Sequence, residues 1–462
     1  METCLKRNIY IFIFLVLLAQ AVSIVRGNYL LSMLILAIFI FAYMLQAKKT
    51  ILVFLILFAR VFFDSMPTIT APKSAFGLSF MELYTVGLMI FMVIYLLTYR
   101  SIELDPISKG TVLILFSLIL TGAYHGNIRD LIDISSVWLY FLITYSFIKY
   151  ISQDIPLERC FKIIGLLSLY PCLNQLYSIG KGVGEMHLGF IRYAGTYIHP
   201  LVIGEYLFFA IPAILYLLSK ENRPKIKFIY IAIIILYHAG ILMAGYRTIW
   251  LATTLFWFLY VLFISQKKIL SVLLVLFGGI IIWSFAGKML AANLGQIETM
   301  VDNWDAVTSL HTHTYDRLLS GRIGTWKGIL RTYVDSGFIE KVLGFGSNSI
   351  FNITFRNVGA TVYAHNEYIS ALCETGILGL LCLLIWMFTI NYEISKYRHC
   401  VDRQHVQITQ SIILSLLIIA FGTMPFRHLS VINYLAVYLA ILPQCTAMDS
   451  EVKLKGSKYV SP

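Results

Sequence analysis

The sequence predicts an all-α polytopic membrane protein of about 14 transmembrane helices with one long external loop. Three observations carry this expectation. The 462 residues are 59% hydrophobic and only 13% charged, with a mean hydropathy of +0.79. A soluble chain is closer to half apolar and a quarter charged. Apolar windows of about 20 residues, the length that crosses a hydrocarbon core, recur from Ile9 to Cys445. Finally, cations cluster at alternate breaks between those windows.

The expected spans start near residues 9, 29, 51, 81, 110, 131, 160, 199, 227, 247, 269, 369, 407 and 431. The first follows Lys6 and Arg7 and so resembles a signal peptide. It lacks a persuasive small-residue cleavage site, and further spans follow at once, so it reads as a retained helix. With the N-terminus in the cytoplasm, the inner breaks carry pairs or groups of cations: Lys48 and Lys49, Lys220 to Lys227, Lys267 and Lys268, Lys396 to Arg403. The short outer breaks carry fewer, among them Arg26, Lys73, Arg129, Arg192, Arg247 and Arg427. This is the positive-inside pattern, with both termini cytoplasmic. Inner loops meeting anionic headgroups explain most of the net charge of +12, and no nucleic-acid partner is implied.

Residues 287–368 form the single long segment, expected on the periplasmic side, and divide the chain into 1–286, 287–368 and 369–462. A long loop of this kind is usually functional. Within it Ile323, Trp326, Leu330 and Val334 recur at helical spacing, which predicts an amphipathic helix on the outer face. The seven cysteines fall in spans or on the inner side, which predicts no disulfide and no cysteine metal site.

Three outward constellations carry chemistry. Gly245-Tyr246-Arg247 opens a span, and an arginine there opposes the charge rule. A helix N-terminus adds N–H donors and partial positive charge, which suits a phosphate. Taken alone, Arg247 reads equally well as a snorkelling interface arginine. Ser320-Gly321-Arg322 leads into the amphipathic helix in the same way. Ala364-His365-Asn366-Glu367-Tyr368 enters the span near 369, with Glu374-Thr375-Gly376 following. A histidine there can take a proton near neutral pH, oriented by Glu367 or Glu374. His311 and His313 lack a carboxylate cluster, so no metal is expected. Trp304, Trp326, Tyr315 and Tyr363 read as sugar-stacking or interface residues. Arg60 and Asp64, one turn apart, are placed for an ion pair.

This ordered set resembles the signatures of the O-antigen ligases and related O-antigen polymerases. It comprises Arg247-x-x-x-Leu251, then His365-Asn366 with nine residues before Gly376-x-x-Gly379. Ser320-Gly321-Arg322 with Trp326, Gly344-Phe345-Gly346, and Arg192 to Pro200 also resemble family segments, although Leu201 stands where that family has Asn. The resemblance implies a GT-C-like fold in the bacterial inner membrane and a periplasmic site. It implies an undecaprenyl-diphosphate-linked glycan donor, a lipid-linked or lipid A–core acceptor, and no cofactor. Arg247 and Arg322, with Arg192 as a weaker third, would take the diphosphate. His365 would orient or deprotonate the acceptor hydroxyl, and Tyr246, Trp326, Asn366 and Glu367 would line the substrate. The span count favours a polymerase, with a chain-length regulator as a further partner; a ligase is the alternative. A lipid-oligosaccharide transporter is more distant, because such proteins place ionisable groups near the midplane of repeated halves.

Overall fold

Long apolar runs satisfy every backbone group internally only as helices when water is absent, and that is how this chain folds. The computed structural model describes residues 48–72, 79–99, 103–126, 128–187, 190–264, 322–359, 361–400 and 402–445. The spans expected near 9, 29 and 269, together with Cys4, Trp304, His311, His313, Tyr315, Ser320 and Gly321, lie outside the described residues.

In chain order the elements begin with α1 (Lys49–Asp64), α2 (Pro67–Thr70), α3 (Phe80–Thr98), α4 (Pro106–His125) and α5 (Ile128–Ser152). Next come α6 (Leu157–Leu167), α7 (Leu169–Gly180) and the antiparallel strands β1 (Glu185–His187) and β2 (Phe190–Arg192). They are followed by α8 (Pro200–Lys220), α9 (Pro224–Ala244) and α10 (Arg247–Ile264). After these stand α11 (Arg322–Val334), α12 (Phe338–Leu343), α13 (Ser349–Val358), α14 (Glu367–Lys396) and α15 (Arg403–Ile419). A 3-10 turn (Pro425–Arg427) and α16 (Leu429–Ala440) complete the series.

Caps set many of the starts. Ser79 and Glu82 form a reciprocal capping box on α3, and Asp105 accepts from Ser108 N–H at 2.8 Å ahead of Pro106 on α4. Among the described residues six helices are long and apolar enough to cross a membrane: α3, α4, residues 134–152 of α5, α8, α9 and α14. Shorter apolar helices run over Arg247–Phe263 and Leu429–Ala440. These match expected spans, and the chain is a helical membrane protein. One expected span changes. The span near 160 is two helices, α6 and α7, meeting at Ser168. Pro171 has no N–H to continue the first ladder and its ring crowds the carbonyl four residues earlier.

The chain divides into two compact units. The first comprises residues 1–102, 143–184 and 193–240. In it α8 is buried along almost its whole length and packs on α6, while α1 also packs on α6. Arg60 Nε lies 2.9 Å from Asp64 Oδ2, the ion pair its spacing predicts, and Tyr206 donates to the same oxygen at 2.5 Å. The second unit comprises residues 103–142, 185–192 and 241–462. Here α4 packs on α14 and α10 on α15, with α11, α12 and α13 forming a small helical layer that meets α14. Trp138, Trp386 and Phe426 fill its centre, with ring centroids 4.9 and 5.3 Å apart in edge-on geometry.

The amphipathic helix expected near 323 is α11, but its packed face differs. Ile329 is fully buried and Thr325 nearly so, whereas Leu330 and Val334 are exposed. Ile329 joins Ile350, Ile353, Ala364 and Cys373 in one apolar cluster, so the neighbouring helices select the face, not the count of apolar residues.

Candidate functional site

Everything in the site belongs to the second unit. Gly245, at φ 63°, turns the chain into α10 and puts Arg247 at that helix's first position. Arg322 takes the same position on α11. A cation at a helix N-terminus opposes the macrodipole, so both placements cost energy unless an anion offsets them. Arg192, on β2 opposite Glu185, is buried and lies with its guanidinium carbon 5.9 Å from the Tyr246 ring centre. Arg322 donates to the Tyr246 hydroxyl and, through Nη1, to the Gly422 carbonyl at 2.5 Å. Its Nε is buried without a hydrogen-bond partner among the described residues.

Three arginines therefore gather about one tyrosine. Burial pushes the Arg192 pKa down; Glu185 opposes the shift and the charge of Arg247 adds to it. Burial also pushes the Arg322 pKa down, with Tyr246 opposing and Arg247 again adding. Both guanidinium groups keep their protons at any ordinary pH. What the shifts record is a desolvated, mutually repelling positive cluster that an anion would relieve.

His365 has a constrained backbone. It has φ 49°, the left-handed region, in which a non-glycine residue is uncommon. Its neighbours on both sides are held. The Ala364 carbonyl accepts from Trp326 Nε1 at 2.6 Å, one turn along α11 from Arg322. Asn366 caps α14 by accepting from Ile369 N–H at 3.0 Å, and its Nδ2 donates to Phe421 O at 3.1 Å. The elements that hold Arg322, namely α11 and the 420–422 backbone, thus also hold the segment carrying His365. Glu367 is buried and accepts from Phe426 N–H at 3.3 Å.

Trp326 is therefore a bridge between α11 and the segment that carries His365. Trp326→Phe is expected to leave the buried Ala364 carbonyl unpaired, at a cost of about 1–3 kcal/mol. Transfer should fall with it, roughly 10-fold, if His365 moves. Thermal unfolding and turnover of the purified variant check both, and an unchanged turnover would remove Trp326 from the positioning of His365.

The Gly376-x-x-Gly379 element has a steric reason. The helix α14 breaks at Gly376, with φ 67° and ψ −168°. The interruption frees carbonyls, and the loop before α13 supplies donors: Phe345 N–H to Cys373 O at 2.9 Å and Gly346 N–H to Glu374 O at 3.0 Å. His125 Nε2 at 2.9 Å from Gly344 O, and Thr121 donating to Leu343 O at 2.9 Å, hold that loop from α4.

Sequence reasoning missed the part played by Arg427, which was counted only as an outer-loop cation, and its pairing with Glu374. An arginine and a glutamate at the edges of apolar runs were the available signal. Among the described residues no group of three or more His, Cys, Asp or Glu is placed to hold a metal ion.

Residues 207–384 match the family described as O-antigen ligase, a stretch that contains Arg247, Arg322, His365 and Gly376 but neither Arg192 nor Arg427. No curated protein matches the chain. Within residues 207–384 the chain is thus similar to the O-antigen ligase family.

Proposed function

We propose that this protein is an inner-membrane polysaccharide polymerase working at the periplasmic face. The donor is a glycan on undecaprenyl diphosphate, and the acceptor is a hydroxyl of a second lipid-linked repeat unit. The observation that carries the reading is the gathering of Arg192, Arg247 and Arg322 around Tyr246, with a buried guanidinium N–H to spare. The acceptor oxygen attacks the anomeric carbon. The bond from that carbon to the phosphate oxygen breaks, and the lipid diphosphate leaves with the bonding pair. The acceptor proton passes to the His365 ring. Negative charge grows on the diphosphate as the bond breaks, and preorganised arginines stabilise it more there than in the ground state. General-base help from His365 adds roughly 10²–10⁴-fold.

The description of the matched family favours a second reading, a ligase that passes the glycan to lipid A–core. Products of a deletion strain separate the two. A single repeat unit on lipid A–core is the expected result. Bare core with accumulated lipid-linked polymer would establish the ligase instead. Normal capped core with no lipid-linked intermediate would remove both.

A further inference from the structure

The turn between α15 and α16 carries more of the site than its sequence announces. Three successive carbonyls accept from two site segments, the start of α14 and the start of α11. Ala420 O takes Glu367 N–H at 2.8 Å, Phe421 O takes Asn366 Nδ2 at 3.1 Å, and Gly422 O takes Arg322 Nη1 at 2.5 Å. A displacement of this turn would therefore move Arg322 and the backbone next to His365 together. At its far end Arg427 enters the protein interior. Its Nη2 bonds Glu374 Oε2, its Nη1 lies 3.4 Å from Glu374 Oε1, and its Nε lies 3.7 Å from Glu367 Oε1. Glu374 also accepts from Asn348 N–H at 3.2 Å, in the segment that stitches the α14 break. Both glutamates are almost fully buried. The three charged groups line a cavity of about 40 Å³ with Ser117, Thr375 and Trp138.

One guanidinium thus faces two carboxylates away from bulk water. Such a group is not retained for stability by default, because a well-packed apolar substitute of similar volume is often as stable. What it can supply is register. Arg427 joins four backbone segments: the first turn of α14, the break in α14, the segment before α13 and the 420–427 turn. It touches none of Arg247, Arg322 or His365 directly in the contacts described above. Burial alone would lower its pKa, but Glu374 and Glu367 more than reverse that, so its charge is secure.

We propose that Arg427 is a positioning residue for the transfer site: by clasping Glu367 and Glu374 it fixes the turn that orients Arg322 and the His365 segment. This rests on the glycan-transfer reading above. The test is the full-length protein in proteoliposomes, with an undecaprenyl-diphosphate oligosaccharide as substrate and activity expressed per folded molecule. Arg427→Gln is expected to lower kcat roughly 10–100-fold, the cost of small misplacement of reacting groups, with the donor KM within about 3-fold of wild type. Arg427→Lys, which keeps the charge but not the fork, should recover part of kcat. Two results overturn the proposal: kcat per folded molecule unchanged in Arg427→Gln, or a raised donor KM with kcat unchanged, which would make Arg427 a donor contact. Should Arg427→Gln not accumulate, Glu374→Gln, of the same size, decides by the same two readings. His365→Ala and Arg247→Ala run alongside. Full transfer by those two would sink the reading of the site itself, whatever Arg427 does.

Discussion

Arg322→Ala is expected to lower glycan transfer roughly 10²–10³-fold, the loss typical when one preorganised charge-stabilising donor is removed. Three features make Arg322 a sensitive position, the first of them shared with Arg247. It sits at the start of α11, where its charge opposes the macrodipole. It is held in place by the Gly422 carbonyl and the Tyr246 hydroxyl, so little reorganisation is needed during reaction. Its Nε is buried with no hydrogen bond among the described residues. Arg322→Lys should lose most of the activity as well, since a lysine presents a point charge where a planar fork meets two phosphate oxygens. The stability cost should be moderate: a hydrogen bond from a charged group such as that to Gly422 contributes about 1.5–3 kcal/mol net. Transfer assays on matched amounts of detergent-solubilised, monodisperse protein give the measurement. Full activity in Arg247→Ala, Arg322→Ala and His365→Ala together would abolish the site.

Gly376→Ala should be the most destructive change in the helical scaffold. Gly376 and Gly344 both have φ near 70° and ψ near −168°, a region that side chains other than hydrogen scarcely enter. They also touch: a Cβ on Gly376 would lie 2.2 Å from Val342 O and 2.6 Å from Gly344 N. Backbone atoms on both sides cannot swing away as a side chain could. Conformational strain alone costs about 1–3 kcal/mol, and the clash comes on top. The stitch from Phe345 and Gly346 to the carbonyls of Cys373 and Glu374 should open, freeing buried acceptors. Against a typical total stability of about 5–15 kcal/mol, the variant should accumulate poorly and unfold at a much lower temperature. Gly359→Ala supplies the contrast. Gly359 also has positive φ, 72°, but nothing lies within 4 Å of its added Cβ. It should lose only about 1 kcal/mol. Equal Tm shifts for the two would show that the close backbone approach at Gly376 matters little.

Most of the helical framework was legible in the sequence, because hydropathy over about 20 residues is a local property and backbone satisfaction leaves few alternatives. The spans near 81, 110, 199, 227 and 369 fall on helices within a few residues. The span near 160 was not, since Pro171 is a single residue inside an otherwise apolar window. Arg247 was legible as a site candidate because it stands on a short outer break that the charge rule leaves sparse, Arg322 because it opens an expected helix, and Arg192 through the family resemblance. Asn366 and Glu367 were singled out for substrate. The structure shows Asn366 capping α14 and bonding Phe421 O, and Glu367 bonding Phe426 N–H. The cap is local, but the Phe421 and Phe426 partners come from distant parts of the chain, and no local pattern records them.

The amino-acid sequence by itself determined that this chain is a helical membrane protein, where its apolar segments lie, and which residue types gather outside them. Those properties depend on composition and short-range spacing. Tertiary structure alone decided that Arg192, Arg247 and Arg322 converge on Tyr246, that α11 packs by Ile329, and that Arg427 meets two buried glutamates. Apart from the adjacent Tyr246 and Arg247, these contacts join residues tens of positions apart. Only the packing of helix against helix, which fixes side-chain direction and excludes water, brings them together.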